Sequence, residues 1–589
     1  MVAPYIKKIH FKNGGSVHLE PGTVLVAVGP NNSGKTKFLN QIHAQLHGNS
    51  VGDQSVDDGL VKTIEIEWQG SSKEVSASLV ESARRNWRER DDYFDPDLPH
   101  SYAGSHRFYG VADIQQLGEQ NATLGPFVET FTRWDEPHSR IEESEEQNLE
   151  RSRVAAVSLA RNDDELEQVS LLFHEIFEEH LSVHDLRNGS VGFVLGEGPE
   201  EPSGATRGLS EETKDFMNKA PKLWFQGSGL RNAFGLLARI VSDERSIVIM
   251  DEPEAFLHPH QSWKLGMVLG KLCVEESKQI VCATHDRHLL TGLAQGAQDR
   301  LQVCRFSSSG GSDTKNYKVE SVSSQFWEDI RDQSRVRFSE VLESFFYDEV
   351  FLVEGEEDAL FYQEAMDHYF QDHNVPASGR GERMFLPTGG NSEFAPMARL
   401  VKSLGPRVMA IGDVDLISNR DRFYETVKAF GTPDIAKRLT IIRDEIEAIY
   451  KNNENLGETK TERAQRLLKE RLAQKGSGAV DDDVRELLDD LLDGLEEKQH
   501  LASKNRLQRR VAKNANTRSS NSTVVTKVEH LAEKLRSVGI FLVPMGALEH
   551  FDEVLLNQKG KRGWVRRALD KGTHRALAAQ SFIGNVINN

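Results

Sequence analysis

Short, fully apolar runs punctuate this chain, and each one ends in polar residues. Thr23-Val-Leu-Val-Ala-Val28 is the first, followed by a Gly-rich turn and a helix starting near Lys35. Ser246-Ile-Val-Ile-Met250 runs into Asp251-Glu252, and Gln279-Ile-Val-Cys-Ala283 runs into Thr284-His285. Such runs read as buried strands. Strands of this kind place their terminal polar residues at the carboxyl edge of an open α/β sheet. Between about 80 and 220 the pattern becomes charged and helical, with a Glu-rich stretch from Ile141 to Leu186. That stretch reads as a solvated helical insertion, or as an arm through which two copies pair.

After about residue 345 the alternation restarts. Glu349-Val-Phe-Leu-Val353, Arg383-Met-Phe-Leu386 and Arg407-Val-Met-Ala-Ile411 are predicted strands, with predicted helices at 358–370 and 392–404 between them. This is the rhythm of βαβ units in a parallel sheet. Long charged helical patterns interrupt it from about 420 to 535, and strand character returns at Ile540-Phe-Leu-Val543. The expected fold is α/β in two domains. Residues 1–340 form the first, with the insertion at about 80–220. Residues 345–589 form the second, with the insertion at about 420–535.

A length of 589 residues agrees with more than one core. The formal net charge is −19, which by itself speaks against a protein that coats nucleic acid. The charge is uneven, however. Residues 501–589 hold 16 Lys and Arg against 6 Asp and Glu, and residues 1–500 hold 56 against 85. A basic run within the C-terminal part, Lys504, Arg506, Arg509, Arg510, Lys513 and Arg518, contains few aromatics and suits phosphate contact better than base stacking. The three cysteines, Cys273, Cys282 and Cys304, fit neither a disulfide framework nor a zinc spacing. No run of about 18 apolar residues is present, and Met1 to His10 shows no leader pattern. These features predict a cytoplasmic protein without a membrane partner.

Two segments carry candidate chemistry. Gly29-Pro-Asn31-Asn32-Ser33-Gly34-Lys35-Thr36 matches a P-loop between a strand and a helix. Its backbone N–H groups and helix N-terminus would cradle phosphate oxygens. Lys35 would neutralise the β- and γ-phosphates of ATP, and Thr36 would ligate Mg²⁺. Asp251 would hold the shell of the same ion, and Glu252 would orient or deprotonate the attacking water. In the second segment, Glu354 ends a strand and Gly355-Glu356-Glu357-Asp358 opens a helix, while Asp413 and Asp415 end a later strand. If that strand extends through them, the two aspartates share a face. Glu354, Asp358, Asp413 and Asp415 would then offer hard oxygens suited to Mg²⁺ or Mn²⁺. Glu356 and Glu357 are better explained as complements to the helix dipole.

The order P-loop, Gln226-Gly-Ser228-Gly229, Asp251-Glu252-Pro253, Leu257-His-Pro-His260 and Ala283-Thr-His285 resembles that of ABC-type ATPases. The resemblance makes Ser228 and Gly229 signature residues that contact the γ-phosphate of a second copy, and His285 the switch histidine. It therefore implies a homodimer or higher homo-oligomer. Gln115, Gln116 and Gln120 all qualify as the Q-loop glutamine. Glu354 with Asp413-x-Asp415 resembles the Toprim domain, and the tandem resembles the overcoming-lysogenization-defect (OLD) family of nucleases. That family implies a carboxylate and a lysine near the C-terminus. Glu549 and Asp552 are candidates for the first, as ligands of a second metal ion, and Lys559, Lys561 and Lys571 for the second, with Lys561 taken as catalytic. The implied function is an ATP-regulated, metal-dependent endonuclease acting on DNA in defence against phage, with a second defence protein as partner. An RNA or tRNA nuclease and a DNA-binding repair-type ATPase that does not cut are the alternatives.

Overall fold

A computed structural model describes residues 4–46, 59–69, 162–184, 192–199, 210–242, 246–309, 316–322, 340–376, 380–452, 522–543, 547–552 and 561–588, together with short strands at 100–103, 106–109 and 128–131 and residues 159, 326–327 and 555. The chain divides into two compact units, Met1–Phe346 and Tyr347–Asn589.

The first unit is built on a six-stranded sheet. Its strands are β3 (Val24–Val28), β7 (Val128–Phe131), β10 (Ile247–Asp251), β11 (Gln279–Ala283), β12 (Leu301–Ser309) and β13 (Asn316–Ser321), in the order β13-β12-β3-β11-β10-β7. All neighbours are parallel except β12 and β13, which are antiparallel. β3 and β11 are buried at every position, which is why each is a continuous apolar run and not an alternating one. Helix α1 (Lys35–Leu46) packs Phe38, Leu39 and Ile42 onto this sheet, with the rings of Phe38 and Phe306 4.8 Å apart. Full burial of a side chain such as Phe38 stabilises by roughly 1.5–3 kcal/mol, so the helix that carries the P-loop lysine is firmly seated. A second sheet, β2-β1-β4 (Ser16–His18, Pro4–Phe11, Val61–Trp68), closes the same core.

The described part of the 80–220 stretch is mixed and not purely helical. Helix α2 (Asp163–Phe177) is capped by Asn162 and is followed by a hairpin of β8 (Leu181–His184) and β9 (Gly192–Leu195). Strands β5 (His100–Ala103) and β6 (His106–Tyr109) form another hairpin, and β7 joins the main sheet. Residues 141–158 of the Glu-rich segment lie outside the described residues. Helices α3 (Glu211–Lys219), α4 (Ser228–Ser242), α5 (Pro259–Glu275) and α6 (Arg287–Ala297) complete the unit. Glycines on facing sides bring α5 and α6 together. A Cβ on Gly292 would fall 2.1 Å from the carbonyl oxygen of Trp263, and one on Gly266 would fall 2.4 Å from that of Leu289.

The second unit holds a fully parallel sheet in the order β15-β14-β16-β17. Its strands are β14 (Glu349–Val353), β15 (Arg383–Pro387), β16 (Arg407–Gly412) and β17 (Ile540–Leu542). Helices α7 (Glu356–Asp372), α8 (Phe394–Ser403), α9 (Arg420–Phe430), α10 (Pro433–Asn452) and α11 (Ser522–Arg536) precede β17, and α12 (Lys561–Lys571) and α13 (Leu577–Ile587) follow it. Phe361 and Tyr362 of α7 share one core with Phe351, Phe541, Trp564 and Phe582. The basic run at 504–518 lies outside the described residues. Among the described residues no helix is long and apolar enough to cross a membrane.

Candidate functional sites: a phosphate loop and a carboxylate cluster

In the first unit the turn after β3 departs from ordinary backbone at three positions. Gly29, Asn32 and Gly34 have φ of 145°, 59° and 101°. Gly29 is required sterically, because a Cβ there would fall 2.1 Å from the carbonyl oxygen of Phe306. Lys35 Nζ donates to the carbonyl oxygens of Gly29 and Pro30 at 2.7 and 2.9 Å, so the ammonium sits within the loop itself. Ser33 is buried, and its Oγ has no hydrogen-bond partner among the described residues. Asn31 is exposed on the same turn.

β10 delivers Asp251 to this loop. Thr36 Oγ1 donates to Asp251 Oδ2 at 2.9 Å. A hydroxyl and a carboxylate in direct contact at the edge of a phosphate loop are the hard oxygens that Mg²⁺ takes. Glu252 follows with φ of 50°, and its N–H donates to the carbonyl of Ala283 at 2.9 Å. This pins the loop after β10 to the end of β11, where His285 lies. His285 Nδ1 is 3.0 Å from Glu252 Oε1, and that hydrogen bond holds the imidazole pKa above its ordinary value.

A carboxylate that the sequence reading passed over sits beneath this pair. Glu254 is buried and accepts from the Thr284 hydroxyl through Oε1, while its Oε2 has no partner among the described residues. Burial raises its pKa to about 7. Its position three residues after Asp251 was visible, but only the fold shows that the side chain turns inward. Ser228 opens α4, and Gly229 lies so close to the next loop that a Cβ would fall 2.6 Å from the Phe256 carbonyl oxygen. His258 caps α5, its ring accepting from the N–H of His260 at 3.4 Å. Phe225 and Phe256 flank this region and are 80% and 69% exposed. Gln115, Gln116 and Gln120 lie outside the described residues.

In the second unit β14 and β16 are neighbours, so Glu354 and Asp413 emerge side by side at their carboxyl ends. Glu354 Oε1 accepts from the Asp413 N–H at 3.3 Å. The strand does not continue through the two aspartates. β16 stops at Gly412, and Val414–Ser418 is a 3-10 turn whose N-cap is Asp413. Leu416 and Ile417 are fully buried, and that burial draws the chain into the turn. Asp413 and Asp415 are 8% and 6% exposed. Asp413 Oδ1 accepts from the Leu548 N–H at 3.3 Å, which docks the turn Leu548–Phe551 and its half-buried Glu549 on this edge. Asp358 Oδ2 accepts from the Gly355 N–H at 3.0 Å and so closes the start of α7.

Tyr362 shows that these acids share one neighbourhood. Its hydroxyl is buried and has no partner among the described residues. Burial, then the charges of Asp358, Asp413, Glu354 and Glu549, push the phenol well above its ordinary range. Glu354 and Asp358 accept from backbone N–H groups of the same edge, and among the described residues no three His, Cys, Asp or Glu side chains form a ready metal-binding group. The expected ligand set is therefore gathered at one edge without being closed. Asp552, named as a further ligand, instead accepts from Lys571 Nζ at 2.8 Å and Thr573 Oγ1 at 3.1 Å, which occupies both Asp552 and Lys571 with each other. Lys561 opens α12, with its side chain outside the described residues, as is Lys559.

A P-loop ATPase unit joined to a parallel-sheet unit with an acidic carboxyl edge defines the class: an ATPase–Toprim fusion. Comparison with known families agrees for each unit. Residues 24–291 match the family described as "AAA domain, putative AbiEii toxin, Type IV TA system". Residues 345–415 match the "Overcoming lysogenization defect protein-like, TOPRIM domain". In tandem these matches are those of an OLD-family ATPase–Toprim fusion, and it is this family that the chain matches. No curated protein matches the sequence significantly.

Among solved structures, the Smc head bound to the C-terminal winged-helix domain of ScpA is 13% identical over 54% of this chain and 98% of that one, with a TM-score of 0.30. The Smc head with an extended coiled coil from Pyrococcus furiosus is 12% identical over 56% and 100%, with a TM-score of 0.30. CbiO1 from Clostridium perfringens, part of an ABC transporter complex, is 11% identical over 49% and 81%, with a TM-score of 0.24.

Proposed function

We propose that the protein is an ATP-regulated, divalent-metal-dependent endonuclease that cuts DNA in defence against phage. The observation that carries this reading is the placement of Glu354, Asp413 and Asp415 at one carboxyl edge, in a chain that also brings Thr36 onto Asp251.

In the ATPase unit, Lys35 and the N–H groups of Gly34 and its neighbours bind the phosphates. Thr36 and Asp251 would hold Mg²⁺. Glu252 orients the attacking water, and His285, hydrogen-bonded to it, keeps the carboxylate turned to that task. Phe225 and Phe256 leave apolar surface beside Ser228 and Gly229, which supports pairing of two copies across the nucleotide.

In the Toprim unit, Glu354, Asp413 and Asp415 would hold Mg²⁺ or Mn²⁺, with Asp358 and Glu549 within the same acidic neighbourhood. Bound there, the metal supplies Lewis-acid stabilisation of the phosphodiester oxygens. The carboxylates place it, and Lys561 would offset charge that builds on the phosphoryl oxygens. The basic C-terminal residues contact the nucleic-acid backbone, and a second defence protein would set the trigger.

Purified protein incubated with plasmid DNA and with tRNA, in Mg²⁺ or Mn²⁺, with and without ATP, tests the reading. DNA is expected to be cut. Lys35→Ala should reduce ATP hydrolysis at least about a hundredfold and remove the effect of ATP on cutting. Cutting of tRNA alone would replace the DNA assignment, and no cutting under any condition would favour a binding ATPase.

A further inference from the structure

Asn391 occupies a position that neither the motifs nor the acidic pattern marks. It follows Gly389 and Gly390, whose φ of 83° and 132° turn the chain sharply after β15. Thr388 Oγ1 fastens this turn to the end of β14, hydrogen-bonding to the carbonyl oxygens of Val353 and Gly390 at 3.0 Å each. The Asn391 side chain therefore arrives beside Glu354. It is 4% exposed, and Nδ2 donates to Asp415 Oδ1 at 2.6 Å and to Glu354 Oε1 at 3.3 Å. Its Oδ1 accepts from Arg422 Nη1 at 2.9 Å. A guanidinium has only donors, so Arg422 can bond only to the amide oxygen. That contact fixes the amide orientation and leaves both N–H groups to the two carboxylates.

We propose that Asn391, oriented by Arg422, is a positioning residue that sets the spacing of Glu354 and Asp415 for metal binding. The inference rests on the reading of those carboxylates as the metal-dependent nuclease site. Two carboxylates at one edge repel each other, and without a donor between them they would splay or take up a proton. A lysine or arginine in the gap would hold them, but it would also cancel the charge that a metal ion needs. A neutral amide with two N–H groups holds both and cancels neither. Arg422 contributes its cation one residue further back. It sits in the first turn of α9, where Asn419 Oδ1 accepts from its N–H at 3.0 Å. Arg443 of α10 secures the other end of the turn that carries Asp415. Its side chain is 2% exposed and donates to the carbonyls of Ile417 at 2.8 Å and Ser418 at 3.0 Å. Helices that interrupt the sheet in sequence thus brace the site in space.

The test is a Mn²⁺ titration of the full chain without nucleotide, followed by the electron paramagnetic resonance of free Mn²⁺, in an Asp251→Ala background that silences the ATPase site. Asn391→Ala should weaken Mn²⁺ binding at least about tenfold, as loss of a group that orients a ligand does. Arg422→Met should weaken it less, and Arg422→Lys should restore part of the loss. Melting temperatures in EDTA should not follow this order, whereas a purely structural role would move them and leave the affinity of the folded protein alone. If Asn391→Ala does not fold, the Arg422 pair decides. Unchanged affinity in Asn391→Ala and Arg422→Met, with binding lost in Glu354→Gln, overturns the inference and spares the nuclease site. Unchanged binding in Glu354→Gln overturns the site reading and the inference with it.

Discussion

Glu254 shows how far a single side chain departs from what its letter in the sequence implies. Folding buries it and leaves Oε2 unpartnered, with a pKa near 7 against about 4.5 in the unfolded chain. The folded state therefore binds more protons than the unfolded state between these values, so this group's contribution to stability falls as pH rises through that window. Glu254→Gln keeps an acceptor for the Thr284 hydroxyl and removes the titration. The parent should lose stability relative to the variant between about pH 5 and 8, by up to roughly 3 kcal/mol. Urea unfolding across that range measures it, and parallel profiles would contradict the assignment. His285 moves for a different reason, the hydrogen bond its Nδ1 makes to the Glu252 carboxylate. In Glu252→Gln its titration, followed by proton NMR, should fall back toward the ordinary imidazole value.

At the scale of elements, the sequence was most legible where strands are buried on both faces. The runs at 279–283 and 349–353 are strands over those same residues, because a parallel strand with two covered faces needs apolar residues throughout. The P-loop, Asp251, Glu252, Glu354 and Asp413 follow directly from the ends of such runs. What stayed hidden depends on contacts distant in sequence. β7 is defined by pairing with β10, more than a hundred residues later, and the 3-10 turn at 414–418 by the burial of Leu416 and Ile417. Asn391 is one polar residue in a loop until Arg422 and the carboxylates surround it. The close approach of α5 and α6 was also unmarked, since glycines in a helix carry no side chain to pattern. Gly292→Ala would put a methyl 2.1 Å from the Trp263 carbonyl oxygen. It should destabilise the first unit by about 3 kcal/mol or more, read as a lower thermal midpoint. An unchanged midpoint would show that α6 can shift freely on α5.

For the whole molecule, the net charge of −19 conceals a division between an acidic stretch over residues 1–500 and a basic one over residues 501–589. On the proposed reading, acids gathered at the two carboxyl edges count against nucleic acid in the sum, yet bound metal would neutralise part of their charge. The excess of 16 basic over 6 acidic residues after position 500 would then remain to meet phosphate. Binding to DNA should therefore weaken steeply with added salt. On the proposed reading one chain holds two separable phosphate chemistries, ATP hydrolysis in the first unit and phosphodiester cleavage in the second. Nicking of supercoiled plasmid in Mn²⁺ by Asp413→Ala, with ATP hydrolysis followed in the same sample, tests it most directly. Cutting should fall at least about a thousandfold, with hydrolysis within about twofold of the parent. Cutting that persists in Asp413→Ala would contradict it.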